Sequence, residues 1–190
     1  MNIKEIKEKL KKDERNKAYS ERGIDPIFQV NKDSKILIIG QAPGKRVEET
    51  GILFNDKSGE RLVDWLGIDM ETLHGGDFSI IPMDFYYPGK GKSGDKAPRR
   101  FIAKEYHPYL LENLKNIELT ILIGAYAQKF YLKDNFKKNL TETVRSFDEY
   151  LPQYFPLVHP SPLNNRWMSK NPFFEKKVLP ALRNLIGEIL

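Results

Sequence analysis

Three short apolar runs constrain the fold more than any other feature of this chain: KILIIG at 35–40, DFSIIPM at 77–83 and ELTILIG at 118–124. Each is continuous rather than alternating, and the first two run into segments rich in glycine, proline and polar residues. A short run with no polar face marks a strand covered on both sides, as in a parallel sheet sandwiched by helices. A fourth, weaker run is YFPLV at 154–158. Between the runs, helical spacing is predicted over 59–66, 98–116, 125–132 and 171–190. In the first eighteen residues Ile3, Ile6 and Leu10 make one apolar stripe among lysines and glutamates, which predicts an amphipathic surface helix. Strand and helix in alternation predict a three-layer α/β/α domain. The 190 residues, without repeat or linker, suit one such domain: an N-terminal helix at 1–20 and a core at 36–188.

Composition removes several classes of chemistry. There is no cysteine, so disulfides, thiolate zinc sites, iron–sulfur clusters and a cysteine nucleophile are excluded. The three histidines, at 74, 107 and 159, are scattered, and no metal site is expected from them. No run approaches the ~18 apolar residues of a membrane span. The N-terminus lacks the apolar core of a secretion signal, so a cytoplasmic protein is expected. A formal net charge of +5 favours an anionic partner, with nucleic acid first among them.

The loops after the strands hold the candidate chemistry, because ligands of open α/β sheets bind beyond the carboxyl ends of the strands. Gly40, Pro43 and Gly44 in GQAPG form a tight turn that either ends a strand or aims backbone N–H groups at a carbonyl or anion. The spacing is that of neither a dinucleotide fingerprint nor a P-loop. Glu48 and Glu49 offer carboxylates nearby, or are simply solvated. Phe54, in a polar stretch before a helix whose predicted N-cap is Ser58, either plugs the core or presents a flat face to a heterocycle.

The loop YYPGKGKSGDKAPRR interleaves Tyr86 and Tyr87 with Lys90, Lys92, Lys96, Arg99 and Arg100. It reads either as a solvated loop or as a surface for phosphates and unstacked bases. In LVHPSPLNNRW, Pro160 and Pro162 stiffen the backbone around His159 and Ser161. A histidine held there is either structural or a donor to charge developing on a leaving group. Ser161 and Asn164 are candidate phosphate contacts, with Arg166 just beyond.

The order of GQAPG, G-x-x-F-x-x-x-S-G and HPSP-x-N resembles the uracil-DNA glycosylase superfamily, closest to its thermophile-type and related bacterial branch, over about residues 36–185. The resemblance implies a central four-stranded parallel sheet and cleavage of the N-glycosidic bond of a uracil flipped out of DNA. It implies that Gly40, Gln41, Ala42 and Pro43 line the base pocket, with Phe54 stacked on the base. His159 would stabilise the departing base and act together with Gln41. Gly44, Ser161 and Pro162 would brace the DNA backbone, with Asn164, Arg166, Lys90, Lys92 and Arg99 as further DNA contacts. No cofactor is implied, and without cysteines no iron–sulfur cluster; the expected assembly is a monomer acting on DNA.

The sequence departs from the family pattern at three places. Ala42 and Gln41 stand where family members carry a water-positioning aspartate, another acid or an asparagine. Asp84, in Ile81-Pro82-Met83-Asp84, stands near where an asparagine would read uracil, which makes it a further base-binding candidate. The cluster-binding cysteines of the thermophile-type branch are absent. A DNA glycosylase is therefore weighed against a non-catalytic nucleic-acid or nucleotide-binding module and a hydrolase of free nucleosides or nucleotides.

Overall fold

The computed structural model describes residues 1–190. Its centre is a sheet of four parallel strands: β1 (Ile36–Ile39), β2 (Phe78–Ile80), β3 (Leu119–Ile123) and β4 (Tyr154–Leu157), in the order β2-β1-β3-β4. The apolar runs became these strands, trimmed at their ends. In register Ile38 faces Ile80 on one side and Ile121 on the other, and Ile121 faces Phe155.

Successive residues of a strand point to opposite faces, so a continuously apolar strand feeds two cores at once. Ile36 and Ile38 enter one apolar cluster, Leu37 and Ile39 the other. The first layer is built mainly from α4 (Lys57–Leu66), α5 (Met70–Leu73), α8 (Leu140–Arg145) and α10 (Leu179–Ile189), with Leu62, Trp65, Val144 and Leu182 fully or almost fully buried. The second layer is α1 (Ile3–Lys12), α6 (Arg100–Leu111) and α7 (Gly124–Leu132), which bury Ile6 and Leu10, Ile102 and Leu110, and Ala127. Three short α-helices lie between these elements: α2 (Lys17–Ser20), α3 (Lys45–Thr50) and α9 (Asn165–Lys170). No helix is long and apolar enough to cross a membrane.

The predicted amphipathic stripe is α1, started by a capping box in which Asn2 and Glu5 bond each other's backbone N–H at 2.9 Å. The helix predicted over 98–116 is shortened to α6. The one predicted over 171–190 is divided into a π-helical turn, Phe174–Val178, and α10. The N-cap of α4 is Asp56, not Ser58. The Asp56 backbone is extended, and its carboxylate accepts the N–H groups of Ser58 and Gly59 at 2.9 and 3.0 Å.

His107 on α6 is structural and holds the exit of β2 in place. Its Nε2–H donates to the Pro82 carbonyl at 2.9 Å, and its Nδ1 accepts the Tyr131 hydroxyl at 2.6 Å. Burial lowers its pKa from 6.5 to about 4, against the bond to Pro82. A histidine held neutral contributes stability that is fully present above its unfolded pKa. That contribution fades as pH falls from about 6.5 towards 4, a window worth about 3 kcal/mol. Denaturant titrations at pH 7, 5 and 4 should show this loss in the native protein and a flatter profile in His107→Gln; equal slopes would remove His107 as the cause.

Candidate active site

In the order β2-β1-β3-β4 the chain leaves β1 towards one side, then crosses back to add β3 and β4 on the other. A crevice opens beyond the carboxyl ends of the strands where the direction reverses. The backbone beyond β1 is tied there to the extension of β2: Met83 N–H donates to the Gly40 carbonyl at 2.9 Å, and Asp84 N–H to that of Gln41 at 3.1 Å. With its carbonyls so engaged, the turn at 40–44 becomes a fixed wall.

A cavity of about 360 Å³ occupies the crevice. It brings together most of the residues singled out from sequence: Gly40, Gln41, Ala42, Pro43 and Gly44 from the turn, Phe54, and His159, Ser161 and Asn164 from the loop after β4. Residues a hundred positions apart meet because parallel strands deliver their carboxyl ends to one edge.

Phe54 has φ +56, a left-handed conformation that is strained for an aromatic residue. Gly59 permits it. A Cβ at Gly59 would lie 1.6 Å from the Phe54 carbonyl oxygen, so the first turn of α4 packs directly beneath the Phe54 backbone. The ring itself reaches over Gly40, where an added Cβ would meet its tip at 3.8 Å. Gly59→Ala must therefore displace Phe54 or unwind the start of α4. We expect about 1–3 kcal/mol of lost stability from the overpacking. Misplacing the ring by about 1 Å should cost activity on the order of 10²-fold. Melting curves and single-turnover assays check both, and a variant with native values would show that the contact is dispensable.

His159 is set by its own loop. Ser161 N–H donates to Nδ1 at 3.1 Å, and the Asn164 amide donates to the His159 carbonyl at 2.8 Å. A backbone N–H can only donate, so Nδ1 must be the unprotonated nitrogen and the neutral ring carries its proton on Nε2. Burial lowers the His159 pKa, partly opposed by the charges of Asp56 and Asp95. The ring at the cavity wall is a neutral donor. Pro-Ser-Pro has a local reason here: the residue between the prolines must keep its N–H. Ser161 Oγ accepts the Leu163 N–H at 3.2 Å, and Arg61 on α4 donates to the Ser161 carbonyl at 3.2 Å, joining this loop to the helix under Phe54.

Six predicted site residues lie off the cavity wall, and two of them, Asp84 and Arg99, are paired with each other. Asp84 is fully buried and does not line the cavity. Its carboxylate accepts Nε and Nη2 of Arg99, each at 2.8 Å, together with the N–H groups of Arg99 and Tyr86. The rest of the Arg99 guanidinium goes to Asn16 Oδ1 and the Arg15 carbonyl, and it stacks over Tyr19 at 4.9 Å. Each charge neutralises the other, so Asp84 is no base-reading group and Arg99 no free phosphate contact.

Lys90 and Lys92 are exposed on a small hairpin, closed by Lys96 N–H to the Gly89 carbonyl and Gly91 N–H to the Gly94 carbonyl, both at 2.8 Å. The tip of this hairpin, Ser93 to Asp95, forms one side of the cavity. Arg166 is exposed on α9, outside the cavity, and Pro162 is exposed at the start of the turn before it. The sequence reading missed Asp56, Asp95 and Leu163. Asp56 had a signal, since an aspartate three residues before a glycine opens the helical pattern. Leu163 is 82% exposed at the cavity rim, where no periodicity could point to it. No group of three or more His, Asp or Glu side chains is placed to hold a metal ion.

The family model of the uracil DNA glycosylase superfamily matches residues 27–183. Among solved structures, the solution NMR structure of a candidate uracil DNA glycosylase from Methanosarcina acetivorans is similar at 16% identity and a TM-score of 0.46, covering 84% of this chain and 98% of that one. The family match takes in all four strands and every residue of the cavity wall. The chain belongs to the uracil-DNA glycosylase superfamily.

Proposed function

We propose that the protein is a DNA glycosylase that hydrolyses the N-glycosidic bond of uracil or another deaminated or damaged base. One observation carries the reading: a single cavity joins an aromatic face, a neutral histidine donor and a rigid turn at the sheet edge. A base flipped out of the duplex enters this cavity and stacks on Phe54, a contact worth about 1–3 kcal/mol. As the bond to the sugar breaks, negative charge grows on the base, and His159 Nε2–H donates to it. A neutral donor already in place stabilises that charge without reorganisation at the moment of reaction.

The amide of Gln41 offers a donor and an acceptor to the base edge, whereas Pro82, two residues beyond β2, has no N–H to donate. Leu163 fits the role of an apolar wedge filling the gap left by the flipped nucleotide. Lys90 and Lys92, exposed on the hairpin, and Arg166, exposed on α9, meet phosphates, with Gly44, Ser161, Pro162 and Asn164 against the backbone near the lesion. The protein acts as a monomer on DNA in the cytoplasm and uses no cofactor.

The test is a panel of single- and double-stranded oligonucleotides, each with one uracil, hypoxanthine or xanthine, treated with alkali after incubation. Strand scission at one of these bases is expected. Tight binding without scission at any of them would leave a non-catalytic nucleic-acid-binding module, the reading that the neutral Gln41-Ala42 pair favours.

A further inference from the structure

Hydrolysis of a glycosidic bond needs a water beside the sugar and a base that holds it and takes its proton. The turn after β1 supplies no carboxylate. Glu48, on α3, is ion-paired to Arg22 at 2.9 Å, and neither it nor Glu49 lines the cavity. Only Asp56 and Asp95 bring carboxylates to the cavity wall. Both share that wall with His159, and the charges of both oppose the lowering of its pKa by burial.

The two are held differently. Asp95 is exposed on the hairpin, and its Oδ1 accepts the Tyr87 hydroxyl at 3.2 Å. Asp56 stands on the rigid start of α4, two residues after the strained Phe54. Its Oδ1 is anchored by two backbone N–H groups, of Ser58 and Gly59, and Oδ2 has no protein donor. One oxygen fixes the carboxylate while the other is free to accept from water.

We propose that Asp56 is the catalytic base, its Oδ2 holding the attacking water beside the sugar. The C1′–N bond breaks with its electron pair going to the base, and the water oxygen bonds to C1′. The water proton passes to Asp56 and then to solvent, while the released base takes up a proton from solvent. Asp56 thereby does the work for which the Gln41-Ala42 turn has no group. The proposal rests on the glycosylase reading.

Asp56→Asn tests it, because asparagine caps a helix as well as aspartate does but carries no charge. Single-turnover excision from the best oligonucleotide of the panel should fall about 10²–10⁴-fold, with melting temperature and oligonucleotide affinity close to native. Should Asp56→Asn fold poorly, Asp56→Ser also keeps a capping oxygen and should show the same loss. In Asp56→Gly, added formate should restore part of the rate, which a purely structural role would not allow. Activity of Asp56→Asn within threefold of an active wild type overturns the proposal, as does a larger loss in Asp95→Asn. A formate-insensitive loss that tracks a lowered melting temperature also overturns it and marks Asp56 as a cap alone. A wild type that releases no base is a separate result, which removes the glycosylase reading and this assignment with it.

Discussion

Excision by His159→Ala is expected to fall about 10²–10³-fold, the effect of removing one well-placed donor from a site where charge develops. The loss should sit in the chemical step, seen in single-turnover kinetics, with oligonucleotide affinity changing far less. His159→Gln, which keeps an N–H donor at similar reach, should recover part of the rate. Burial holds the ring below its ordinary pKa. The imidazole is therefore neutral at and above neutral pH, and the rate there should not follow protonation of this side chain. Equal losses in binding and turnover would instead mark a histidine that only supports its loop, since its Nδ1 also satisfies the Ser161 N–H.

Arg99→Met is expected to be the most destabilising single change in the region, at about 3–5 kcal/mol. The cost comes from what is left behind: Asp84 has no exposure to water and would lose both its ion-pair partner and two hydrogen bonds. Domains of this kind are stable by only about 5–15 kcal/mol, so the change should be plain in a denaturant titration. Arg99→Lys should fall between, because an ammonium keeps the charge but not the two-pronged fork. Replacing both partners, as in Asp84→Leu with Arg99→Met, should recover much of the loss. A DNA contact through Arg99 would instead show as a shallower salt dependence of binding with stability unchanged. That outcome would contradict the buried pair.

Comparing these residues shows where sequence reading succeeds. The strands were legible because a parallel sheet covered on both faces needs every residue apolar, and KILIIG and ELTILIG have no other economical reading. The turn at 40–44 and the HPSP loop were legible because glycine and proline restrict the backbone locally, wherever the rest of the chain lies. Helix starts were less so. Asp56 and Ser58 are both good caps, and only the extended backbone at Asp56 decides between them. Short helices such as α3 and α9, six residues each, carry too few turns to show a periodicity.

Charged residues were the least legible. Arg99 and Arg100 are neighbours in a basic loop, yet Arg99 is locked beneath Tyr19 while Arg100 is exposed. Asp84 and Asp56 look equivalent in sequence, yet Asp84 is sealed in an ion pair and Asp56 lines the cavity. The chain by itself determined the layered α/β architecture, the edge at which the loops gather, and Phe54 and His159 as candidates, because periodicity and backbone stiffness act over a few residues. Only the tertiary structure decided which charges cancel and which face the cavity. Those outcomes depend on distance and burial, and here they are set by partners such as Asn16, Tyr19 and Arg99 that the fold draws together from distant parts of the chain.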